Sequence, residues 1–207
     1  MVTLGTKALT VLCAAGMLFV TDAAKWPYGE YFEGDGTYYN MDDIGGGNCA
    51  MRDLDLDMYD DMIPVALNAE QYGSSEMCGA CIKGEASGEG SGNTKLPKKF
   101  KAYVIDKCPE CAYGDLDFSM GGDGRWDIRW KFINCPKGDN KFEPEFLFEG
   151  SNDYYWKIQP RGTRTPVKKL WVNNKKAERT QDNFFIIQPP SGEKYDGKEK
   201  VKTKTIK

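Results

Sequence analysis

The stretch that decides the fold covers residues 100–136 and reads FKAYVIDKCPECAYGDLDFSMGGDGRWDIRWKFINCP. Its first part, Phe100–Asp106, alternates apolar and other residues, and this period of two predicts a half-buried strand. A CPEC turn, an acidic tip at Asp115 and Asp117 and a glycine-rich corner follow. A second alternating strand is predicted over Trp126–Ile133. The two strands should therefore bring the first strand's terminal acid and the acidic tip towards one another.

Three spaced motifs in this stretch resemble those of expansins and expansin-like proteins. They are V-x-D-x-C-P-x-C, G-x-L-D-F-S and G-x-x-x-I-x-W-x-x-x-x-C-P. The resemblance implies an all-β fold that begins with a six-stranded double-psi β-barrel over residues 24–137. That barrel is related to glycoside hydrolase family 45 endoglucanases and to barwin-type plant proteins.

The part of the chain after residue 145 has a different pattern. Short aromatic and β-branched runs at 154–159, 167–172 and 184–187 are separated by turn signals, which is typical of a β-sandwich. The order FLFEGS, an aromatic pair, IQ and PVKKL resembles the second domain of expansins, an immunoglobulin-like carbohydrate-binding sandwich. We therefore assign residues 145–207 to this domain. The sandwich should close with residues 200–206, and whether a further strand is missing stays open.

The composition excludes several classes of chemistry. The chain has 207 residues, a formal net charge of -3 and no histidine, so the usual general base at neutral pH and most zinc ligation are absent. Acid–base work falls to Asp, Glu, Tyr or Lys. The 28 Lys and Arg residues nearly balance 31 Asp and Glu residues, which argues against nucleic-acid binding. We expect no cofactor and no metal.

The N-terminus is predicted to direct secretion. Residues 1–23 read as a signal peptide, with Lys7 before the apolar run Ala8–Val20 and a small-residue context for cleavage after Ala23. A membrane anchor is the alternative, but the run is shorter than a span of roughly 20 residues. We expect a monomer in the extracellular space or cell wall, without membrane attachment once the signal is removed.

Six cysteines remain after this cleavage. In an exported chain they imply three disulfides, for which fifteen pairings are possible. The rival interpretation is a zinc site, because two pairs have C-x-x-C spacing. The resemblance to expansins implies the pairs Cys49–Cys78 and Cys81–Cys135, which leaves Cys108–Cys111.

The resemblance also implies a candidate acid. Asp117 lies at the position of the acid with which family 45 hydrolases protonate the leaving oxygen and which expansins need for wall loosening. A carboxyl group can donate a proton only if its pKa is raised by a partly buried setting. The alternative is an Asp that bonds neighbouring backbone amides in a turn. Asp106 matches the second acidic position, with a similar structural alternative, and Thr37 and Tyr39 match polar residues that line the same groove.

The sandwich carries a candidate sugar platform. Tyr154 and Tyr155 match an aromatic pair whose rings stack on pyranose faces. Adjacent strand residues point to opposite faces, so we expect Tyr154 outward, while Tyr155 could join Trp156 in the core. A third aromatic near Asp182 is lost or unaligned.

The function that the resemblance implies is binding of a cell-wall β-glucan, such as cellulose, and non-hydrolytic loosening of its contacts. The alternatives are an inverting β-1,4-glucanase and a barwin-like binding or inhibitor protein. Inversion needs a second carboxylate as base. In the hydrolases this base is the Asp of a T-x-Y-W-D motif. The same count from Thr37 reaches Met41, and Asp42 lies one residue later, which disfavours the glucanase.

Overall fold

The computed structural model describes residues 29–40, 46–52, 59, 61–136 and 144–206. The predicted signal peptide and Asp42 lie outside these residues. Among them, the one helix, α1 at Ala69–Tyr72, has four residues, and no helix is long and apolar enough to span a membrane.

Six strands form a closed barrel in the order β1-β5-β2-β4-β3-β6. Two of its contacts are parallel, β1 with β5 and β2 with β4, and the other strand contacts are antiparallel. The strands are β1 (Phe32–Tyr39), β2 (Ile63–Asn68), β3 (Cys81–Ser91), β4 (Lys99–Cys108), β5 (Leu116–Ser119) and β6 (Arg125–Ile133).

Alternating burial explains why the decisive stretch closes a barrel. In β6 every second residue is buried, and Trp126 and Trp130 both point into the core, as their spacing predicts. In β5 the apolar Leu116 and Phe118 are buried on either side of Asp117. The predicted acidic tip is therefore partly a strand, and the barrel core itself fixes the direction of the Asp117 side chain.

The strand β3 is longer than its composition suggests. The sequence of residues 85–99 is rich in Gly, Ser and Lys and predicts a loop, yet β3 continues to Ser91 across a register shift between Ala86 and Gly90. Gly90 has φ 139°, and a Cβ there would lie 2.2 Å from the Arg125 carbonyl oxygen. Glycine is used here because β3 and β6 approach closely, not because the chain turns.

Two further sheets form the sandwich, in the orders β10-β9-β13 and β11-β12-β8-β7. The predicted fold class is thereby confirmed. The strands are β7 (Glu145–Phe148), β8 (Trp156–Arg161), β9 (Val167–Val172), β10 (Lys175–Lys176), β11 (Glu178–Arg179), β12 (Phe185–Ile187) and β13 (Val201–Thr205). Their core contains Ile158, Leu170, Val172, Phe185 and Ile187.

Three disulfides stabilise the barrel, and they are the pairs that the resemblance implies. Cys49–Cys78 joins the loop after β1 to the turn after α1, and Cys81–Cys135 joins β3 to the end of β6. Cys108–Cys111 closes the CPEC turn. With all six sulfurs oxidised, the cysteine-based zinc site is excluded.

The barrel and the sandwich meet through buried polar groups. Gln159 Nε2 donates to the Cys49 carbonyl oxygen at 2.9 Å, and Asn183 Nδ2 donates to the same oxygen at 3.3 Å. Ser75 Oγ donates to the Thr180 carbonyl oxygen at 2.8 Å. Gln159 and Ser75 are fully buried, so each of these bonds satisfies a group that water cannot reach.

Candidate functional site

The candidate site of the barrel is a row of residues across four neighbouring strands. Strand register places Thr37 of β1 beside Asp117 of β5, Asp117 beside Ala66 of β2, and Ala66 beside Asp106 of β4. The two acids are thus two strands apart, and the small Ala66 between them leaves the space above the sheet free of a large side chain. The arrangement follows from the mixed topology, because residues 80 apart in sequence become neighbours.

Asp117 is held by Thr37 and is partly buried. Thr37 Oγ1 donates a hydrogen bond of 2.6 Å to Asp117 Oδ1. Burial raises the pKa of Asp117, and the charge of Glu110 also raises it, whereas the Thr37 bond lowers it. Burial has the largest effect, so the carboxyl group keeps its proton to higher pH than an exposed Asp. This is the setting that a proton donor needs.

The Cys108–Cys111 disulfide forms one wall beside this acid. Both sulfurs and an Asp117 carboxylate oxygen lie within 4.8 Å of one another. This is the one cluster of possible metal ligands found among the described residues, but its sulfurs are bonded to each other and offer no thiolate. The disulfide therefore forms a weakly polar surface beside the carboxyl group.

Asp106 is mainly bound to the backbone. Its Oδ1 accepts hydrogen bonds from Asn48 N at 2.7 Å and from Lys107 N at 2.8 Å. A Cβ on Gly47 would lie 3.2 Å from the Asp106 Cβ, so the glycine-rich loop packs closely on this acid. Because these bonds occupy only Oδ1, Asp106 can anchor the loop and still accept a hydrogen bond from a sugar hydroxyl through Oδ2.

Tyr39 stands next to both acids. It pairs with Ser119 of β5 and is half-buried. Burial raises its pKa, and the negative charges of Asp106 and Asp117 raise it further. The phenol therefore stays protonated, but its hydroxyl oxygen is buried and is not exposed to a ligand above the sheet.

Asp115, the other acid of the tip, has a structural role. Its side chain is buried and accepts from Asp35 N at 2.8 Å and from Ala112 N at 3.0 Å. Arg125 Nη1 lies 3.9 Å from its Oδ2. Asp115 thereby fixes the turn that leads into β5.

The aromatic pair of the sandwich lies in the turn before β8, not in the strand. Tyr154 is 63% exposed, whereas Tyr155 is half-buried and forms a bridge with Asn152. Trp156, the first residue of β8, packs edge-on against Phe148, and its ring centre lies 4.3 Å from that of Tyr195. Tyr154 is therefore the most accessible ring of the pair.

The region of the third platform position carries an ion pair instead of an aromatic ring. Lys157 Nζ lies 2.8 Å from Asp182 Oδ2 and 2.9 Å from Glu149 Oε1. The ammonium also lies 4.2 Å from the centre of the Phe184 ring, and Phe184 itself is fully buried. Any sugar that reaches this point meets charged hydrogen-bonding groups.

Comparison with solved structures identifies two close matches in fold. An expansin from Clavibacter michiganensis, a point mutant in complex with cellohexaose, is 20% identical and has a TM-score of 0.66, with 84% of this chain and 85% of that chain covered. The apo form of a Clavibacter michiganensis expansin is 21% identical, with the same coverage and a TM-score of 0.62. The chain has the expansin fold.

A Streptomyces papain inhibitor is also similar, at 22% identity over 53% of this chain and 99% of that chain. Its TM-score of 0.34 carries no argument about the present chain. No family model and no curated protein sequence matches the chain.

Within the expansin fold, the sequence-based candidates fall into two groups. Thr37, Tyr39, Asp106 and Asp117 come together on the barrel, and Tyr154 and Tyr155 lie on the sandwich. Sequence reasoning missed the ion pairs of Lys157 and the disulfide wall beside Asp117. The disulfide wall could have been found, because the implied Cys108–Cys111 pair precedes Asp117 by few residues. No local sequence pattern indicates the ion pairs of Lys157.

Proposed function

We propose that this chain is an expansin-like protein that binds a cell-wall β-glucan, cellulose or a related polymer, and loosens its contacts without cutting it. The observation that supports this most is the Thr37–Asp117 hydrogen bond beside Asp106, in a setting that raises the pKa of Asp117. The match to an expansin whose structure contains cellohexaose adds support for a glucan ligand.

In the proposed mechanism the glucan chain lies across the row of strands β1, β5, β2 and β4. Protonated Asp117 donates to a glycosidic oxygen or a hydroxyl through the oxygen that Thr37 does not occupy. Asp106 accepts from a hydroxyl while the backbone amides hold it, and the half-buried Tyr39 forms part of the groove beside it. New hydrogen bonds to the protein then replace those between neighbouring glucan chains, and no covalent bond changes.

The sandwich would anchor the polymer. Tyr154 offers a flat exposed ring for stacking on a pyranose face, and Tyr155 adds a partly accessible one. The six oxidised cysteines and the predicted signal peptide support an extracellular location. We propose that the protein acts there as a monomer.

A glucanase is the second candidate, because a carboxyl group with a raised pKa is also what a general acid requires. It would use Asp117 as acid and Asp42 as base for inversion. Release of reducing sugar distinguishes the two functions.

The test is depletion of the mature protein from solution by insoluble cellulose, chitin and peptidoglycan, together with a reducing-sugar assay. We expect depletion by cellulose and no reducing sugar. Depletion by chitin or peptidoglycan alone would overturn the choice of ligand. Sugar release that Asp42→Asn abolishes would move the protein into the hydrolase class.

A further inference from the structure

The outward face of the sheet β10-β9-β13 carries four lysines around a tryptophan. We propose that this face is a second binding surface, which takes an acidic polysaccharide whose sugars carry carboxylates. We define the basic face by five residues, Lys169, Trp171, Lys176, Lys202 and Lys204.

Strand register places these residues side by side. Leu170 and Val172 of β9 are buried in the sandwich core. Side chains alternate along a strand, so the neighbouring Lys169 and Trp171 point outward. Trp171 pairs with Lys176 on one side and with Lys202 on the other.

The adjacent row of the same face adds a second pair. Lys169 lies directly opposite Lys204, and directly opposite residues of an antiparallel pair share a face. The basic face thus has two neighbouring rows. In one, the Trp171 ring lies between Lys176 and Lys202, and in the other, Lys169 lies beside Lys204.

No ion pair between residues that the structure describes neutralises the charge of this face. The strands β9, β10 and β13 contain six lysines and no acidic residue, in a chain whose formal net charge is -3. Lys202 Nζ donates to Asn174 Oδ1 at 3.1 Å.

Such a face is unfavourable unless a partner neutralises it. Like charges directly opposite across two strands repel one another and destabilise the pair, as at Lys169 and Lys204. The repulsion falls when an anion lies between the two ammonium groups. The arrangement therefore favours a ligand that brings several negative charges to one surface.

The ring at the centre of the face favours a sugar polymer as that ligand. Trp171 is half-buried, and its exposed part can stack on an apolar pyranose face while the flanking lysines meet carboxylates. Lys169 and Lys176 also line a cleft of about 240 Å³ at the edge of the sheet. Lys168 and Arg179 also line this cleft and add positive charge, and Glu76 and Glu178 line it as well and add negative charge.

The basic face is separate from the proposed glucan platform. Tyr154 and Tyr155 precede β8, which belongs to the other sheet of the sandwich. The two surfaces could therefore hold a neutral and an acidic polymer at once. Loss of one kind of binding leaves the other measurable.

The experiment measures binding of the mature protein to polygalacturonate at low salt, with neutral dextran as the ligand control. Lys169→Gln, Lys176→Gln, Lys202→Gln and Lys204→Gln together should weaken binding about tenfold or more, because four exposed charge pairs each add a small factor. Depletion by cellulose should not change. Raised salt should weaken binding of the parent much more than that of the variant.

The barrel offers a matched control with four exposed lysines, Lys83, Lys98, Lys99 and Lys101. Lys83 lies opposite both Lys101 and Lys131, and in the next row Glu85 lies between Lys99 and Arg129 and interrupts the charge. Replacing these four by Gln removes the same charge and should leave binding within about twofold of the parent.

Four results would overturn the proposal. They are no binding of the parent to polygalacturonate, an equal loss in the barrel control, equal affinity for the fully methyl-esterified polymer, and equal, lysine-dependent affinity for double-stranded DNA. The third uses only the parent protein, so it stays decisive if the lysine variant folds poorly. The fourth would make the face a general polyanion surface.

Discussion

Because the pKa of Asp117 is raised in the folded state, the free energy of unfolding should depend on pH. The folded chain binds this proton more tightly than the unfolded chain does. The stability that the proton contributes is fully present below the unfolded pKa of 3.8 and is lost as the pH rises through the folded pKa. Above the folded pKa the protein therefore holds a charge in a setting that disfavours it.

Asp117→Asn should therefore be more stable than the parent at a pH above the folded pKa of Asp117, because an amide fits the same setting without a charge and still accepts from Thr37. The gain should disappear below about pH 3.8, where the parent is protonated too. Urea unfolding at both pH values measures it. A variant that is less stable than the parent above that pKa would show that Asp117 is a structural turn residue.

Thr37 should tune this acid. Thr37→Val removes the hydroxyl that stabilises the charged form, so the pKa of Asp117 should rise further. Loosening activity should then persist to higher pH than in the parent, while Thr37→Ser, which keeps the donor, should not change the profile. Carboxyl NMR titration gives the same comparison directly. An unchanged or lower pKa in the Val variant would contradict the assignment.

At the scale of single elements, the turn before β8 decides which ring a sugar meets. Tyr154→Ala should weaken binding to insoluble glucan more than Trp156→Ala does, relative to the stability each loses. Tyr154 is 63% exposed, whereas Trp156 packs on Tyr195 and the sandwich core. Depletion isotherms and thermal melts of both variants measure this. Lost binding with an unchanged melt in Trp156→Ala would reverse the assignment.

The disulfides should differ in what they stabilise. Closing the short CPEC loop restricts the unfolded chain by about 2 kcal/mol, and the loop of the Cys81–Cys135 pair by about 4 kcal/mol, on chain entropy alone. We therefore expect Cys108→Ser with Cys111→Ser to cost about half as much stability as the equivalent change of the other pair, measured by urea unfolding.

The short disulfide should matter more to the site than to the fold. Its sulfurs lie within 4.8 Å of an Asp117 oxygen, so their replacement by hydroxyl groups should lower the pKa of that acid and move the pH range of loosening downwards. Full activity of the double serine variant would show that the disulfide wall does not affect the acid.

The sequence predicts much of these elements because apolar alternation and turn residues are local signals. Trp126 and Trp130 enter the core as their spacing requires, and residues 167–172 form the predicted strand. Prediction from the sequence fails where a contact between residues far apart in the chain determines the local structure. The glycines of β3 indicate a loop until β6 approaches them, and Tyr154 and Tyr155 look like strand residues until the Asn152 bridge closes a turn.

At the scale of the whole molecule, the barrel row is invisible in the sequence. Thr37, Ala66 and Asp117 become neighbours only because the mixed topology inserts β5 between β1 and β2. Motif resemblance identified the residue types, but neither spacing nor composition gives the distance between Thr37 and Asp117. The buried bonds from Gln159 and Asn183 to Cys49 are equally non-local, and they link the sandwich to the loop that packs on Asp106.

This connection suggests how anchoring and loosening are combined. In the proposed function the sandwich holds the polymer, and the barrel, joined to it by buried hydrogen bonds, presents the two acids Asp106 and Asp117. Binding and loosening should therefore be separable by mutation, since their residues lie on different elements.

The most direct test of the central claim is the mechanical weakening of cellulose paper by the parent and by Asp117→Asn, with cellulose binding and reducing sugar measured on the same samples. We predict that the parent weakens the paper without releasing sugar. Asp117→Asn should bind as the parent does and lose the weakening. Undiminished weakening by Asp117→Asn, or weakening by the parent in proportion to released sugar, would contradict the account.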